Sequence, residues 1–473
     1  MVMRKNVFRA ALLLSIVVLL SGCGTDNHGL SKKEPQNIMI WNYYNGAQAV
    51  AFDKLVDDFN NTVGAEQGII VSSDSKNTVD ELYQAIEDSI DKKVGADELP
   101  DIFPIYLDTA VSLDEKGILV DLGQYVSKEE QAEYVDSYVQ EGYFGDDEAW
   151  KLFPVAKSTE IMILNKTDWD KFANEADVDI SNLATMEGLL EVAEKYYDYS
   201  GGESFFGRDA FANYMFSGSA ELGTEIYTVK NGKVTLQFDE EVMRKLWDHY
   251  YVPYVKGYFK HVGRYRTDDI KMGEIIAQIC ATSSAAYFPT EVTKNDETYP
   301  IDYLVLPVPT FEGSEQYVVQ QGASMAVTKS TEQREYASVV FLRWLTQEEQ
   351  NMTFALEAGY LPVKKSANNI ERLKEYQEKN GETSGIEVDI INGAFEEMEN
   401  GIPYTTKGFD GAEKIRSVLS YGMLDLAQQD REAILNAGSE EKQKQMLDTC
   451  LSAEHFKAWY DETKNELLQI CGE

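Results

Sequence analysis

One residue type in this sequence stands out as able to hold a small molecule: 28 of the 473 residues are tyrosine. A planar aromatic ring packs against the C–H face of a sugar, and a phenol can also hydrogen-bond a sugar hydroxyl. The tyrosines of interest lie at predicted strand ends or in loops, outside the apolar stripes of predicted helices. Together with one tryptophan they are our candidate ligand contacts: Trp41, Tyr43, Tyr44, Tyr106, Tyr214, Tyr287 and Tyr360.

Polar side chains in the same segments could orient the hydroxyl groups of a ligand. Residues of these types also serve commonly as turn or cap residues, so each has a purely structural alternative. The polar candidates are Asn42, Asn45, Asp108, Lys157, Ser158, Ser283, Ser284 and Gln321.

Catalytic and metal-binding patterns are weak by comparison. The chain carries 81 Asp and Glu residues, so a carboxylate pair at glycosidase separation would occur by chance. GxSxG, HExxH and P-loop motifs do not occur, and the four histidines lack metal-ligand spacing. Residues 177–181 begin like a calcium loop, but Asn182 and Gly188 stand where the loop needs Gly and Glu. We predict no catalytic residue, no metal and no cofactor.

The charge of the chain bears on its partners. The formal net charge is −38, and nucleic-acid binding needs clustered Lys and Arg, so we expect no nucleic-acid partner. Arg208, Arg264 and Arg266 could bind an anionic ligand through bidentate hydrogen bonds. They lie outside the segments expected at the ligand site, which favours a neutral ligand.

The N-terminus is typical of a bacterial lipoprotein signal. Basic residues precede an apolar run at 10–20, which is too short to span a bilayer. LSGC follows at 20–23 and is similar to a lipobox, which predicts cleavage before Cys23 and acylation of its sulfur. The alternative is an ordinary secretory signal with an incidental cysteine. Residues 24–37 contain Gly and Pro among polar residues, which predicts a flexible tether.

The elements that would position the candidates alternate between strand and helix. Predicted strands at 38–41, 69–71 and 101–106 are separated by amphipathic helices, a pattern typical of parallel pairing. Open sheets of this kind bind ligands at the carboxyl ends of their strands. Trp41, Tyr43 and Tyr106 stand at such ends.

Residues 271–327 contain the features around which we expect the chain to be organised. A strand is predicted at 275–279, followed by a small-residue loop at 280–286. A second strand, at 303–306, is stopped by Pro307 and Pro309, and a third begins behind Gly322. A strand that ends and resumes elsewhere indicates a chain that crosses between two lobes. Elsewhere, Asn231-Gly232 predicts a hairpin, and residues 364–473 are predicted to be mostly helical.

The ordered set of segments resembles the family 1 extracellular solute-binding proteins of ABC importers, the maltose-binding-like receptors. The resemblance rests on the lipobox, IMIWNYYN, PDIF at 100–103, LFPVAKSTEIMILNK at 152–166, LVLPVPTFEG at 304–313, and FLRWLTQEEQ with EAGYLPV at 341–363. It implies an α/β, two-lobed, periplasmic-binding-protein-like (type II) fold, in which each lobe is a mixed sheet flanked by helices. Three crossings would join lobe 1 (38–156 plus 310–362) to lobe 2 (157–309 plus 363–473).

The same resemblance implies a function. We expect a monomeric receptor, lipid-anchored on the outer side of the cell membrane, that closes around a sugar or oligosaccharide and delivers it to an ABC permease. Two alternatives stay open: a surface-anchored enzyme acting on glycosides, and a sugar receptor that serves a sensor instead of a transporter. Cys450 and Cys471 could form a disulfide only if the chain folds back between them.

Overall fold

The computed structural model describes residues 27–145, 149–230, 233–285, 287–381 and 385–472. The predicted signal segment (1–22) and Cys23 lie outside these residues. The strands are β1 (Gln36–Asn42), β2 (Ile69–Ser75), β3 (Ile102–Ile105), β4 (Leu152–Phe153), β5 (Glu160–Asn165), β6 (Phe206–Arg208), β7 (Tyr227–Lys230), β8 (Lys233–Leu236), β9 (Ala277–Ala281), β10 (Glu291–Lys294), β11 (Glu297–Pro300), β12 (Tyr303–Leu306), β13 (Tyr317–Val319), β14 (Ser324–Val327) and β15 (Ile402–Tyr404).

Helices make up most of the rest of the described chain. They are α1 (Gly46–Phe59), α2 (Ala65–Gln67), α3 (Val79–Ile90), α4 (Leu107–Glu115), α5 (Lys128–Gln131), α6 (Asp136–Glu141), α7 (Lys166–Ala176), α8 (Met186–Ser200), α9 (Phe211–Glu221), α10 (Glu240–Lys256), α11 (Arg266–Lys271), α12 (Thr282–Ala285), α13 (Glu332–Leu345), α14 (Glu348–Ala358), α15 (Ile370–Asn380), α16 (Ile386–Asn400), α17 (Ala412–Leu435), α18 (Glu440–Cys450) and α19 (Ala453–Cys471).

The first lobe is built on a five-stranded mixed sheet in the order β2-β1-β3-β14-β4. β1 pairs in parallel with β2 and β3, as the strand–helix–strand pattern predicts, while β14 pairs antiparallel with β3 and β4. Helices α1, α13 and α14 cover this sheet through an aromatic core. In that core the rings of Phe59 and Phe341 meet edge to face, with centroids 5.1 Å apart.

The second lobe has a four-stranded mixed sheet in the order β12-β5-β9-β6. β5 is antiparallel to both β12 and β9, and β6 is parallel to β9. Its largest core brings helices α8, α9, α10, α17 and α19 together. Trp247 of α10 lies at the centre of the contact with α19, its ring 5.1 Å from that of Trp459. The molecule therefore has the two-lobed α/β fold that the sequence predicts.

Three passages of the chain join the lobes, and they touch one another. The first runs from β4 to β5, the second from β12 to β14, and the third follows α14. Ser158 of the first passage pairs with Gln321 of the second through backbone hydrogen bonds of 2.8 and 2.9 Å. The neighbouring Lys157 pairs in the same way with Leu361 of the third. The predicted triple crossing is thus a small hydrogen-bonded unit. We call it the crossing unit; it consists of Lys157, Ser158, Gln321, Gly322 and Leu361.

Gly322 is a residue that this unit requires. Its φ of +91° lies in the left-handed region. A Cβ at this position would come within 2.7 Å of the Ala156 carbonyl oxygen and 2.9 Å of Lys157 Cα. Only glycine allows the second passage to lie this close to the first.

Several local predictions were wrong. Residues 27–37, expected as part of a flexible tether, pack on the first lobe: Leu30 is buried in its core and the ring of His28 lies 4.1 Å from that of Tyr336. β9 lies two residues later than the predicted strand, so Cys280 is a strand residue. The loop expected after it contains the short helix α12.

Other local predictions have clear outcomes. β7 and β8 form the antiparallel hairpin that Asn231-Gly232 predicts, although those two turn residues lie outside the described chain. No disulfide joins Cys450 and Cys471. In the described parts of the chain, no helix is both long and apolar enough to cross a membrane.

Candidate ligand-binding cleft

A cavity of about 1080 Å³ lies between the two lobes, with the crossing unit as its floor. Ser158, Gln321 and Gly322 form the floor, and rings and hydroxyls from both lobes form the walls. A smaller cavity, of about 320 Å³, adjoins it and shares the lining residues Tyr106 and Gln321. We call the two together the cleft. It sits where sheet topology places ligand sites, beyond the carboxyl ends of β1 and β3.

Tyrosines form the first-lobe wall of the cleft. Tyr43 follows β1, Tyr106 follows β3, and Tyr360 follows α14, and all three line the larger cavity. The Tyr106 backbone N–H donates to the hydroxyl of Tyr83 at 2.9 Å. Burial raises the pKa of Tyr43, Tyr106 and Tyr360 above the usual phenol value. These phenols therefore remain neutral hydrogen-bond donors and acceptors.

The second-lobe wall combines hydroxyls with exposed rings. The turn from β9 into α12 places Ser283 and Ser284 on this wall. Tyr287, just beyond, is 48% exposed. Gln48 of the first lobe reaches across and donates to the Ser283 carbonyl at 3.3 Å. The two walls thus touch at one edge of the cleft and leave Tyr287 available to a ligand.

Two further rings on the second-lobe wall were not predicted from the sequence. Tyr265 is 49% exposed and Tyr421 is 61% exposed, and both line the larger cavity. Tyr421 lies on the solvent-exposed side of α17. Single exposed aromatic residues are common on protein surfaces, so no sequence signal distinguishes it.

Helix α9 brings an amide into the floor of the cleft. It begins at Phe211 behind Ala210, whose φ of +45° is strained for a residue with a Cβ. Asn213, in its first turn, donates to Glu160 Oε1 at 3.0 Å and to Gln321 Oε1 at 3.1 Å. Asn213 was not predicted. It links the second-lobe sheet to the crossing unit at the point where a ligand would rest.

Two arginines of the cleft are paired with carboxylates of the protein. Arg208 Nη2 lies 2.6 Å from Glu160 Oε2, both buried. Arg416 Nε donates to Asp108 Oδ2 at 2.8 Å, and its Nη1 donates to Asn213 at 3.1 Å. Asp108 belongs to the first lobe and Arg416 to α17 of the second, so this pair spans the cleft.

The expectation that the arginines lie away from the cleft was wrong in part. Arg208 and Arg264 both line the larger cavity, because β6 and the loop before α11 end at its rim. Arg266 is buried instead, paired with Asp269 and with Asp209. Desolvation raises the pKa of Asp209 to about 6 despite the nearby guanidinium.

Ten of the fifteen predicted ligand contacts come together in the cleft. Five come from the first lobe, three from the second lobe and two from the crossing unit. They are Tyr43, Asn45, Tyr106, Asp108, Ser158, Ser283, Ser284, Tyr287, Gln321 and Tyr360.

Three predicted contacts at the end of β1 lie in the interior. Trp41 is buried, with the Lys76 ammonium 4.2 Å from its ring centroid. Asn42 is buried too, and its Oδ1 accepts from the Tyr44 backbone N–H at 2.9 Å. Tyr44 packs in the first-lobe core with its ring centroid 5.1 Å from that of Phe52. Tyr43 reaches the cleft while its neighbours do not, because successive residues at a strand end point to opposite sides.

Two more predicted contacts were also wrong. Lys157 is fully buried, and its Nζ donates to Glu141 at 2.7 Å and to the Gly322 carbonyl at 2.9 Å. Its side chain therefore stabilises the crossing unit from the protein interior. Tyr214 faces the core of the second lobe and donates from its hydroxyl to the Leu246 carbonyl at 2.8 Å.

A third cavity, of about 1210 Å³, contains none of the predicted contacts. Its lining includes Tyr143, Tyr317 and Tyr404, beside β13 and β15. We place the candidate site in the cleft because the crossing unit lies there, so a ligand would touch both lobes and the joint between them.

Two α/β lobes, three touching passages and a cleft lined by rings define the class of two-lobed binding proteins. The chain belongs to the family described as bacterial extracellular solute-binding protein, whose model matches residues 54–400, more than half of its length. No curated protein matches it in sequence.

Solved structures support the fold at low sequence identity. The cyclic α-maltosyl-1,6-maltose binding protein of Arthrobacter globiformis is 18% identical with a TM-score of 0.62, covering 90% of this chain and 100% of its own. The GacH receptor of Streptomyces glaucescens, solved without ligand and with acarbose, is 11% identical with a TM-score of 0.66, covering 93% and 99%. UgpB of Mycobacterium tuberculosis, in complex with glycerophosphocholine, is 19% identical with a TM-score of 0.64, covering 88% and 100%.

Proposed function

We propose that this chain is a receptor for a neutral sugar or oligosaccharide and that it delivers its ligand to an ABC permease. The observation that carries the proposal is the cleft, in which tyrosines of the two lobes face each other across a floor of backbone and amide groups. Rings on two sides can hold both faces of a sugar while hydroxyls and amides orient its polar edge.

The electrostatics of the cleft support a neutral ligand. Arg208 is paired with Glu160, and Arg416 with Asp108, so neither guanidinium needs a ligand anion to balance it. An anionic ligand that bound Arg208 or Arg416 would have to break one of these pairs, and an unpaired buried charge is costly. Arg264 and Lys271 are exposed cations in the lining of the larger cavity.

The printed ligands of the structural relatives agree with this choice in part. The Arthrobacter protein is named for a cyclic maltosyl-maltose and the Streptomyces receptor was solved with acarbose, whereas UgpB was solved with glycerophosphocholine. A saccharide is therefore our proposed class, and glycerophosphocholine is the informative competitor to test beside it.

The permease would recognise the closed form of the two lobes, in which ligand is bound. A ligand that touches both walls stabilises the arrangement in which they are close together, by its difference in affinity for the open and closed forms. We assign residues 38–156 plus 310–362 to one moving body and 157–309 plus 363–473 to the other. We propose binding without covalent chemistry, by a monomer.

The test is a thermal-shift screen followed by calorimetry on the full mature chain. Monosaccharides, linear and cyclic oligosaccharides and glycerophosphocholine would be compared, and we expect saturable binding of a saccharide at one site per chain. Saturable binding of glycerophosphocholine alone would overturn the sugar assignment. Release of shorter saccharides during incubation would favour the enzyme alternative instead.

Membrane attachment is a separate part of the proposal. We propose that Cys23 is acylated after cleavage of residues 1–22, which would hold the receptor at the outer surface of the membrane; two or more chains are needed for stable attachment. In cells, the wild-type chain should sediment with membranes and take up labelled palmitate. C23A should lose the label, and an unchanged label would contradict the assignment.

A further inference from the structure

A cluster of metal-ligating side chains lies in the second lobe, away from the lining of the cleft. Asp430 of α17, Cys450 of α18 and His455 of α19 bring a carboxylate oxygen, a thiol sulfur and an imidazole nitrogen within 4.8 Å of one another. Their spacing along the chain matches no metal motif, since the ligands come from three helices. The cluster therefore has no signature in the sequence.

We propose that Asp430, Cys450 and His455 form a zinc-binding site. Carboxylate, thiolate and imidazole are the three ligand types that proteins use for Zn²⁺. With metal–ligand bonds of about 2.0–2.3 Å in tetrahedral geometry, ligand atoms stand about 3.3–3.6 Å apart. His455 Nε2 and Asp430 Oδ2 lie 2.7 Å apart and all three ligand atoms lie within 4.8 Å of one another, so small side-chain movements would reach that range. Three protein ligands leave the fourth position to water.

The residues around the cluster are those that support a metal site. The Tyr251 hydroxyl, from α10, donates to Asp430 Oδ2, and such an outer hydrogen bond orients a ligating carboxylate. The ring of Trp247 stacks on that of Tyr251 and meets that of His455 edge to face at 5.9 Å, which holds the imidazole in place. Cys450 is buried, so the sulfur is shielded from solvent.

The local turn sets the positions of two of the three ligands. α18 ends at Cys450, and Ser452 then caps α19 by accepting from the His455 backbone N–H at 3.2 Å. This places the thiol and the imidazole on the same side of a short helix–helix corner. A metal ion here would tie α17, α18 and α19 together.

Zinc binding displaces protons from two of the three ligands. The Cys450 thiol loses its proton to solvent, so that the thiolate binds the ion. For His455 to bind through Nε2, the neutral imidazole must carry its single proton on Nδ1, so a proton held on Nε2 in the hydrogen bond to Asp430 transfers to Nδ1 by way of solvent.

The experiment uses the full mature chain, stripped with a chelator and titrated with Co²⁺ as a spectroscopic probe and with Zn²⁺ as competitor. We expect one Co²⁺ per chain, with a thiolate-to-cobalt charge-transfer band and visible bands of tetrahedral Co²⁺, all removed by Zn²⁺. C450S should lose the charge-transfer band, and H455Q should weaken binding at least tenfold. C471S is the matched control, since it removes a thiol from the same lobe but not from the cluster, and it should keep both signals.

A second measurement, the melting temperature, tests metal binding without relying on variants that could fold poorly. Zn²⁺ should raise the melting temperature of the stripped wild-type chain and of C471S, because an ion that binds only the folded state stabilises it. If Co²⁺ gives no charge-transfer band with the wild-type chain, or the same band with C450S, the proposal is overturned. The cluster would then be a hydrogen-bonded network only.

Discussion

Arg416 and Asp108 join the two lobes by an ion pair at the edge of the smaller cavity. The guanidinium Nε lies 2.8 Å from the carboxylate Oδ2, with α17 on one side and α4 on the other. Asp108 is buried and Arg416 is about a third exposed. Because the partners belong to different lobes, the pair holds the lobes together only while the cleft is narrow.

Asp108→Asn should therefore loosen the closed arrangement. A partly exposed ion pair contributes about 1 kcal/mol, so we expect ligand affinity to fall roughly fivefold. The radius of gyration of the ligand-free chain, measured by X-ray scattering, should rise. E240Q is the control, since it removes the 3.0 Å pair with Lys457 inside one lobe. Equal effects of the two variants would show that Asp108 does not act between the lobes.

Tyr287→Ala should weaken ligand binding without destabilising the fold. The ring is 48% exposed, so its loss removes little buried area. Loss of one aromatic contact costs about 0.5–1.5 kcal/mol, which corresponds to a two- to tenfold rise in Kd. Calorimetry with the saccharide found in the screen measures this. Y199A, which removes a comparably exposed tyrosine on α8, should leave affinity unchanged; if it does not, the cleft is not the binding site.

Glu141→Gln should destabilise the crossing unit. It leaves the buried Lys157 ammonium without a counter-charge, with only the neutral amide oxygen of the new glutamine and the Gly322 carbonyl as acceptors, and an uncompensated buried charge costs about 3–5 kcal/mol. Urea unfolding would show this as a lower midpoint. The double variant E141Q/K157M removes the charge too and should recover part of the loss. A single-variant cost below about 1 kcal/mol would mean that water reaches this lysine.

Glu397 should make stability depend on pH. Burial raises the pKa of this carboxyl from its usual 4.5 to about 8, although the Val308 backbone N–H donates to it. Between those values the folded chain binds a proton that the unfolded chain does not. The free energy of unfolding should therefore fall as pH rises from about 4.5 to about 8, by an amount on the order of a few kcal/mol.

The variant E397Q should flatten this pH dependence and be more stable than the wild type near pH 8, because the amide oxygen can still accept from Val308. Glu221, whose pKa burial raises to about 7, acts in the same direction and is the reason a slope should remain. Denaturant midpoints at several pH values measure the effect. An unchanged slope would show that Glu397 is ionised in the folded state.

Much of the fold could be predicted because its signals are local. Strand–helix alternation predicts the parallel pairing of β1 with β2 and β3, and the Pro307–Pro309 break predicts the second passage. The prediction of a flexible tether was wrong because its residues pack against parts of the chain that are distant in sequence. The ring of His28 contacts those of Tyr125 and of Tyr336 on α13, and Leu30 is buried in the first-lobe core. Local composition carries no information about such contacts.

The site was predicted by segment, and segments do not decide which way a side chain points. Tyr43 lines the cleft while Tyr44 is in the core, although the two are adjacent. Arg416 and Tyr421 were not predicted because α17 lies far along the chain from the strand ends that carry the predicted contacts. A helix from the C-terminal region completes the cleft only through tertiary packing.

If Cys23 is acylated as proposed, Leu30, which is buried in the first lobe, limits the distance between this lobe and the bilayer. Leu30 lies seven positions after Cys23, and seven extended residues reach at most about 25 Å. The first lobe would then stay close to the membrane surface, so that a bound molecule is released near the bilayer.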